Sequence, residues 1–254
     1  MIQKVLVTGS TKGIGKGILE KFHTENWDVC ITGRNQKAMK DIQNNLNNIR
    51  GNSAIGLAAD LSNNSKANEL FQYINQNWGR LDCIVFNIGS GTGTRGIDTT
   101  FESNLELIKL NFLNTVNQFK SLLPLIENSK NGGSIIFIGS IAHNFNVRAP
   151  FAYSYSKRAL NIFAKYQALR LSRNQIRVNI INPGHILTED GIWNRRKGDS
   201  EELFEQFVSE NIPLGNIGEV EDIAKVVFNC ASGSLTDYLI GQSISIDGGT
   251  SILK

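Results

Sequence analysis

The sequence predicts an α/β protein: a doubly wound parallel sheet of about seven strands with helices on both faces. Three observations predict it. Short runs rich in β-branched residues and ending in Gly or Asp recur along the chain, longer helical patterns fill the intervals, and no repeat, low-complexity linker or composition break interrupts the rhythm. Strands that alternate with helices pair in parallel, because each helix carries the chain back across the sheet. Right-handed crossovers then gather the strand carboxyl ends along one edge, where ligands of such sheets bind.

Each element has its own reason. KVLVTG opens the series as a strand, and a helix over 13–25 follows its glycine-rich turn. WDVCITG, SAIGLAAD and LDCIVFNIG are the next strands, separated by helical patterns over 36–49 and 65–77. A long pattern over 101–127 precedes GSIIFIGS, one over 151–173 precedes IRVNIINPG, and one over 219–231 precedes GQSISIDGG. Only 185–215 departs from the alternation; it contains Trp193, Arg195, Arg196 and Lys197. It reads either as a lid over a ligand or as a solvated surface helix, and its place after a strand end favours the substrate lid. At 254 residues, one domain over 1–254 is expected.

Bulk properties exclude several function classes. A formal net charge of +3 with 19% charged residues leaves no nucleic-acid footprint. No apolar stretch approaches the length of a membrane span and no signal-peptide pattern opens the chain, so a soluble cytoplasmic protein is expected. Cys30, Cys83 and Cys230 sit singly, and His23, His143 and His185 show no metal-ligand spacing. Neither a disulfide nor a metal site is expected.

The turn TGSTKGIG contributes Gly9, Ser10, Thr11, Lys12, Gly13, Ile14 and Gly15 after the first strand. Its glycines permit a tight turn and let backbone N–H groups approach a pyrophosphate at a helix N-terminus. The Gly-x3-Gly-x-Gly spacing is not the general dinucleotide fingerprint, and the Gly-Lys-Ser/Thr of a phosphate-binding P-loop is absent. The second strand ends in ITGRN, with Arg34 where an NAD site needs a carboxylate for the ribose hydroxyl. A guanidinium suits a 2′-phosphate, and Lys12 offers that phosphate a second charge, so NADP(H) is the expected cofactor. Asp60, closing AADL, is placed to accept from an adenine amino group, to cap the following helix, or both.

The stretch AYSYSKRA places Tyr153 and Lys157 four apart on one helix face, with Tyr155 turned the other way. An ammonium beside a phenol favours phenolate and activates it as an acid. Alone this pair decides little, since Tyr166 and Arg170 repeat the spacing with no chemistry around them.

Taken together, TGSTKGIG, NIG at 87–89, Asn111 in KLNFLNT, Ser140 in IIFIGS, the Tyr153/Lys157 pair thirteen positions beyond Ser140, NPGHILT at 182–188 and the final GQSISIDGG resemble the classical short-chain dehydrogenase/reductase family, with its Rossmann-type fold, over essentially the whole chain. The resemblance implies that Tyr153 is the general acid in ketone reduction and the base in alcohol oxidation. It implies that Lys157 holds the nicotinamide ribose and lowers the phenol's pKa, that Ser140 hydrogen-bonds the substrate oxygen, and that Asn111 holds a water in a proton relay. Asp60 with Leu61, Asn87 with Gly89, and Pro183, Gly184, Ile186 and Thr188 would complete the cofactor cleft. Two departures stand out: Ile88 replaces the family's usual alanine, and the loop GSGTGTRG at 89–96 is unusually glycine-rich.

The function implied is an NADP(H)-dependent oxidoreductase acting on a small-molecule carbonyl or secondary alcohol, nearest to a 3-oxoacyl-acyl-carrier-protein reductase. Lys130 and Arg173 are the expected docking cations for a carrier. A sugar or small secondary-alcohol dehydrogenase is the alternative within the class, and a non-catalytic NADP(H)-binding sensor or scaffold the alternative outside it. The resemblance also implies a homotetramer through the long helices around Asn111 and Lys157, with Ala159, Ala164 and Ala168 allowing close helix approach and Tyr155 packing or lining a subunit contact.

Overall fold

A computed structural model describes residues 1–93, 99–130, 132–144 and 149–253. In chain order the elements are β1 (Lys4–Val7), α1 (Gly13–Thr24), β2 (Asp28–Gly33), α2 (Gln36–Ile49), β3 (Ala54–Ala58), α3 (Asn64–Asn77), β4 (Cys83–Phe86), α4 (Phe101–Ile108), α5 (Asn114–Glu127), β5 (Gly133–Ile138), α6 (Phe151–Leu171) and β6 (Ile176–Pro183). There follow β7 (Ile186–Leu187), α7 (Ile192–Asp199), α8 (Glu201–Asn211), β8 (Gly218–Glu219), α9 (Val220–Ser232) and β9 (Ser243–Ile246). Seven strands form one sheet in the order β3-β2-β1-β4-β5-β6-β9, every pairing parallel. The order reverses at β1, which lies between β2 and β4 and so opens a crevice at its carboxyl end.

Strand alternation builds two cores. Leu6, Ile84, Phe86, Ile135, Phe137, Val178 and Ile180 face one way, where they meet Leu70 and Ile74 of α3, Phe119 and Leu122 of α5 and Leu160 of α6. Val5, Val7, Val85, Ile136, Ile138 and Ile181 face the other, against Ile18, Leu19 and Phe22 of α1 and Ile223 and Val227 of α9. Both faces are therefore covered, as a parallel sheet requires. All three cysteines are free and buried, and burial pushes the Cys30 and Cys83 thiols far up. Among the described residues no helix is long and apolar enough to cross a membrane, and no cluster of three metal-ligating side chains occurs.

Two local expectations need correction, and a third residue pair can be placed. The helical pattern over 101–127 is broken by a π turn at Lys109–Leu113. Its cause is Asn111, whose Nδ2 donates to the Leu107 carbonyl one turn back (3.0 Å), competing with the main-chain ladder. The α6 alanines do not all face outward: Ala164 and Ala168 pack into the core. The exposed face of α6 instead carries Tyr155, Ile162, Tyr166 and Leu169. Lys130 and Arg173 follow α5 and α6, which places them at the amino edge of the sheet, at the far end of β5 and β6 from Ser140. A six-residue strand spans about 20 Å, so they stand about that far from the edge that carries Ser140.

Residues 185–215 fold into more than a single surface helix. β7 pairs with β8, tying the start of the excursion to its end. Between them, Phe204, Val208 and Ile212 form a small buried cluster joined by Trp193, Phe207 and Ile217. The Trp193 ring stacks on Phe207 at 4.6 Å, and His185 meets Trp193 edge-on at 4.7 Å.

Candidate functional site

The crevice floor is the glycine turn. Gly9 and Gly13 have φ of +66° and +55°, a conformation other residues adopt only with strain. Gly15 is demanded by space: a Cβ there would lie 2.4 Å from Asn87 Nδ2 and 2.5 Å from the Gly9 carbonyl. Asn87 binds the turn to β4, its Nδ2 donating to the Thr8 and Gly9 carbonyls at 3.1 and 3.2 Å. Thr11 packs against Gly33, where a Cβ would come within 2.5 Å of it.

Not every expected cofactor residue turns a side chain to the cleft. Ser10 is fully buried and accepts from the Thr32 N–H at 3.1 Å, so its hydroxyl anchors the turn to β2. Ile186 is buried in the core beneath α1 and α9, and Leu61 in the core on the opposite face, so only their backbones remain available to a ligand. Ile14 packs against the first of these cores but stays half-buried. Lys12 approaches Asp190 of the 185–215 excursion at 3.6 Å. Both groups are exposed, and such a pair contributes little.

Arg34 stands exposed at the end of β2, close enough to Asp60 to influence it. Hydrogen bonding from the Ser62 hydroxyl, assisted by the Ser62 N–H and by Arg34 and opposed by burial, holds the Asp60 carboxyl below its ordinary value. The cap of α3 is Asn63, which accepts from the Ser65 N–H, so Asp60 closes a local turn with Ser62 and does not cap the helix.

At the mouth, three elements converge. Gly89 follows β4; a Cβ on it would sit 2.8 Å from Asn111 Oδ1 and 3.1 Å from Lys157 Nζ. Asn111 is fully buried and clamps Ser90, accepting from its N–H at 2.9 Å and donating to its carbonyl at 3.1 Å. Lys157 is also buried, and its Nζ donates to the Ile138 carbonyl at 2.9 Å while lying over the Tyr153 ring, 5.8 Å from the centroid. Burial pulls the Lys157 amine down to about 8. The Tyr153 ring lies under Gly91, where a Cβ would meet Cζ at 3.7 Å. Of the glycine-rich loop 89–96, residues 94–96 lie outside the described residues.

The expected lowering of the Tyr153 pKa by Lys157 is not what the structure shows. Burial raises the phenol above its ordinary value of 10, and the opposing influence is a hydrogen bond with the Ser140 side chain. The physical reason is placement: the ammonium faces the ring and is bonded to a carbonyl of β5. Tyr155 is turned outward and stacks on Phe151 at 6.1 Å.

The far wall comes from the chain after β6. Gly184 donates to the Ile246 carbonyl at 2.9 Å, and a Cβ there would lie 2.6 Å from Asp247 Cβ. Thr188 faces the glycine turn, its Cγ2 3.8 Å from a Cβ built on Gly13. Two residues of this wall were not singled out in the sequence: Asp190 lies outside any motif, and Asn182 opens the NPGHILT motif without being given a role of its own. Asp190 pairs with Lys12, and Asn182, just before Pro183, bonds the Ser140 backbone. In an asparagine-rich chain the motif marks the place of Asn182 but not the direction of its side chain.

A glycine turn at the switch point of a parallel sheet, with Ser, Tyr and Lys at its mouth, defines an α/β protein of the dinucleotide-cleft class. Residues 9–251 match the family model described as enoyl-(acyl carrier protein) reductase, and the chain belongs to this short-chain dehydrogenase/reductase family. It is 30% identical to a diacetyl reductase, (S)-acetoin forming, of Staphylococcus epidermidis, covering 98% of each chain. It is also 30% identical to a 3-oxoacyl-acyl-carrier-protein reductase of Buchnera aphidicola, covering 96% of this chain and 95% of that protein. Among solved structures it is similar to L-sorbose reductase from Gluconobacter frateurii complexed with NADPH and L-sorbose, with a TM-score of 0.90, 25% identity, and coverage of 98% and 96%.

Proposed function

We propose that this protein is an NADP(H)-dependent carbonyl reductase in which Tyr153 exchanges the proton. The observation that carries the reading is the convergence of Tyr153, Ser140 and Lys157 at the carboxyl edge of the sheet, beside a turn where a Cβ on Gly15 finds no space. Bound NADPH supplies the hydride. The backbone of residues 9–15, Arg34, Asp60, Asn87, Gly89, Lys157 and the 183–188 segment would hold it, Arg34 meeting the 2′-phosphate as a charge-assisted, bidentate partner.

In the reducing direction Tyr153 must be protonated, and its raised pKa keeps it so at neutral pH. Its hydroxyl then donates to the carbonyl oxygen while Ser140 holds that oxygen in line. Lys157, with its pKa near 8, is predominantly cationic at pH 7 and supplies a ribose donor beside the phenol. The Asn111 side chain is committed to Ser90 and Leu107, so a relay through Asn111 falls to its main-chain carbonyl. Residues 185–215 act as the lid that excludes water, with Trp193 and Phe207 on its inner framework.

The leading substrate class is a 3-oxoacyl thioester, by the family description and the Buchnera relative. A free small diketone is the second reading, favoured by the likeness to the diacetyl reductase of Staphylococcus epidermidis. A panel of acetoacetyl thioesters, diacetyl and simple ketones, run with NADPH and NADH in parallel, tests both. Oxidation of NADPH by the thioester is expected; no turnover of any carbonyl overturns the enzyme assignment. In the same assay Arg34→Ser is expected to raise the NADPH KM about 10–100-fold, the value of one charge-assisted hydrogen-bonded pair, and to leave NADH kinetics unchanged.

The same reading has the enzyme working in the cytoplasm as a homotetramer. Ile162, Tyr166 and Leu169 form an apolar stripe on the outer face of α6, with Leu169 79% exposed, and a second copy of the helix would cover it. Leu169→Glu is expected to reduce the sedimenting mass below that of the wild type; an identical sedimentation profile would place the contact elsewhere.

A further inference from the structure

Directly beneath Ser140 lies a closed ring of hydrogen bonds that the reaction as described does not use. Asn161 Nδ2 donates to Asn182 Oδ1 at 3.1 Å, Asn182 Nδ2 donates to Ser243 Oγ at 2.9 Å, and Ser243 Oγ donates to Asn161 Oδ1 at 2.6 Å. Asn182 is fully buried at the end of β6, Asn161 is buried on α6 one turn beyond Lys157, and Ser243 opens β9. Bonds arranged head to tail in a buried site reinforce one another, and each is costly to break.

Two bonds lead from the ring to the reacting groups. The second lone pair of Asn182 Oδ1 accepts from the Ser140 N–H at 3.2 Å. The other Asn161 amide hydrogen is given to the Lys157 carbonyl at 3.2 Å. The fit is close: a Cβ on Gly139 would fall 2.0 Å from Asn182 Oδ1, so nothing larger than glycine lets the Ser140 backbone reach this amide. Lys157 Nζ, bonded to the Ile138 carbonyl, ties the same strand end to α6 from the other side.

The geometry points to Asn182 as a positioning residue that fixes the Ser140 hydroxyl relative to Tyr153 for proton transfer. This deepens the carbonyl-reductase reading and rests on it. Asn182 acts through the Ser140 backbone: its amide is spent on Ser140, Asn161 and Ser243. Among the described residues Tyr153 faces Lys157 on its own helix, Ser140 from the end of β5 and the backbone of Gly91, while His143 turns its Nδ1 to the Ser140 carbonyl at 2.7 Å. Ser140 is the influence that holds the Tyr153 phenol down against burial, so a Ser140 set loose leaves that phenol harder to ionise.

Asn182→Ala is expected to lower kcat about 10–100-fold, the scale of a small misplacement at a reacting centre, with the NADPH KM little changed. In the Ser140→Ala background the same substitution is expected to add almost nothing, because its route has already been cut. The Tyr153 titration midpoint, read as the tyrosinate difference spectrum against the matching Tyr153→Phe protein, is expected to move to higher pH and requires no substrate. Ser243→Ala, which opens the ring but leaves Asn182 in place, should shift that midpoint in the same direction by less, and serves if Asn182→Ala does not fold. An unmoved midpoint in the folded variant overturns the inference. So does a kcat loss that is fully additive with Ser140→Ala. A wild type that turns over no carbonyl, with the midpoint still moving, removes the function reading alone and leaves Asn182 as the residue that sets the phenol.

Discussion

Tyr153→Phe is expected to lower kcat by about 10²–10⁴-fold, the usual contribution of a positioned proton donor, while NADPH binding is retained. The substitution is clean because phenylalanine keeps the ring under Gly91 and over Lys157 and deletes only the oxygen. Steady-state kinetics with the best carbonyl, paired with a fluorescence titration of NADPH, separate the two effects. Turnover equal to the wild type would remove Tyr153 from the chemistry; loss of cofactor binding with it would make the residue structural. The same experiment on Tyr155→Phe is a built-in contrast, since that ring points outward and stacks on Phe151.

Lys157→Met should abolish most turnover and yet make the protein more stable at neutral pH. The amine is buried and its pKa falls from 10.5 in the unfolded chain to about 8 in the folded one. Between those values the unfolded chain binds one more proton than the folded chain, so the Lys157 contribution to stability rises with pH from about 8 to 10.5. Below pH 8 the full penalty is present, on the order of 3 kcal/mol by the usual conversion of a pKa difference. Methionine removes it but leaves the buried Ile138 carbonyl without this donor, at a cost of about 1–3 kcal/mol. The melting temperature of Lys157→Met is therefore expected to exceed that of the wild type at pH 7 by up to a few degrees, the difference falling as the pH approaches 10.5. A difference that does not vary with pH, or a less stable variant throughout, would show that the ammonium is paired in a way the structure does not contain. Stability given up for a charged group in a catalytic cleft is the trade such a site requires.

Much of the fold was legible because its signal is local. Val5, Leu6 and Val7 sit in so short a run that strand periodicity and the following glycines leave one assignment, and the same holds for β2, β4, β5 and β6. The π turn was not legible, since the helical pattern over 101–127 is continuous and the break comes from one amide reaching both Leu107 and Ser90, twenty-one positions away in the chain. Nor was the excursion between β7 and β8, whose cluster of Phe204, Val208 and Ile212 is apolar at a spacing that fits a surface helix as well.

For the site, spacing alone brought Tyr153 and Lys157 to one face and set Tyr155 apart, because a helix fixes those angles whatever surrounds it. Order along the chain likewise placed Gly9, Asn87, Ser140 and Pro183 at strand ends, and the parallel sheet gathers strand ends on one edge. Direction and burial were decided only by the tertiary structure. Packing turned Ser10, Leu61 and Ile186 inward, set Lys130 and Arg173 at the opposite edge, and buried Lys157 until its charge became costly. It also brought Asn161, Asn182 and Ser243 from three separate elements into one ring beneath Ser140. Such a contact depends on how strands far apart in sequence are ordered in the sheet, and local residue patterns carry no record of that order.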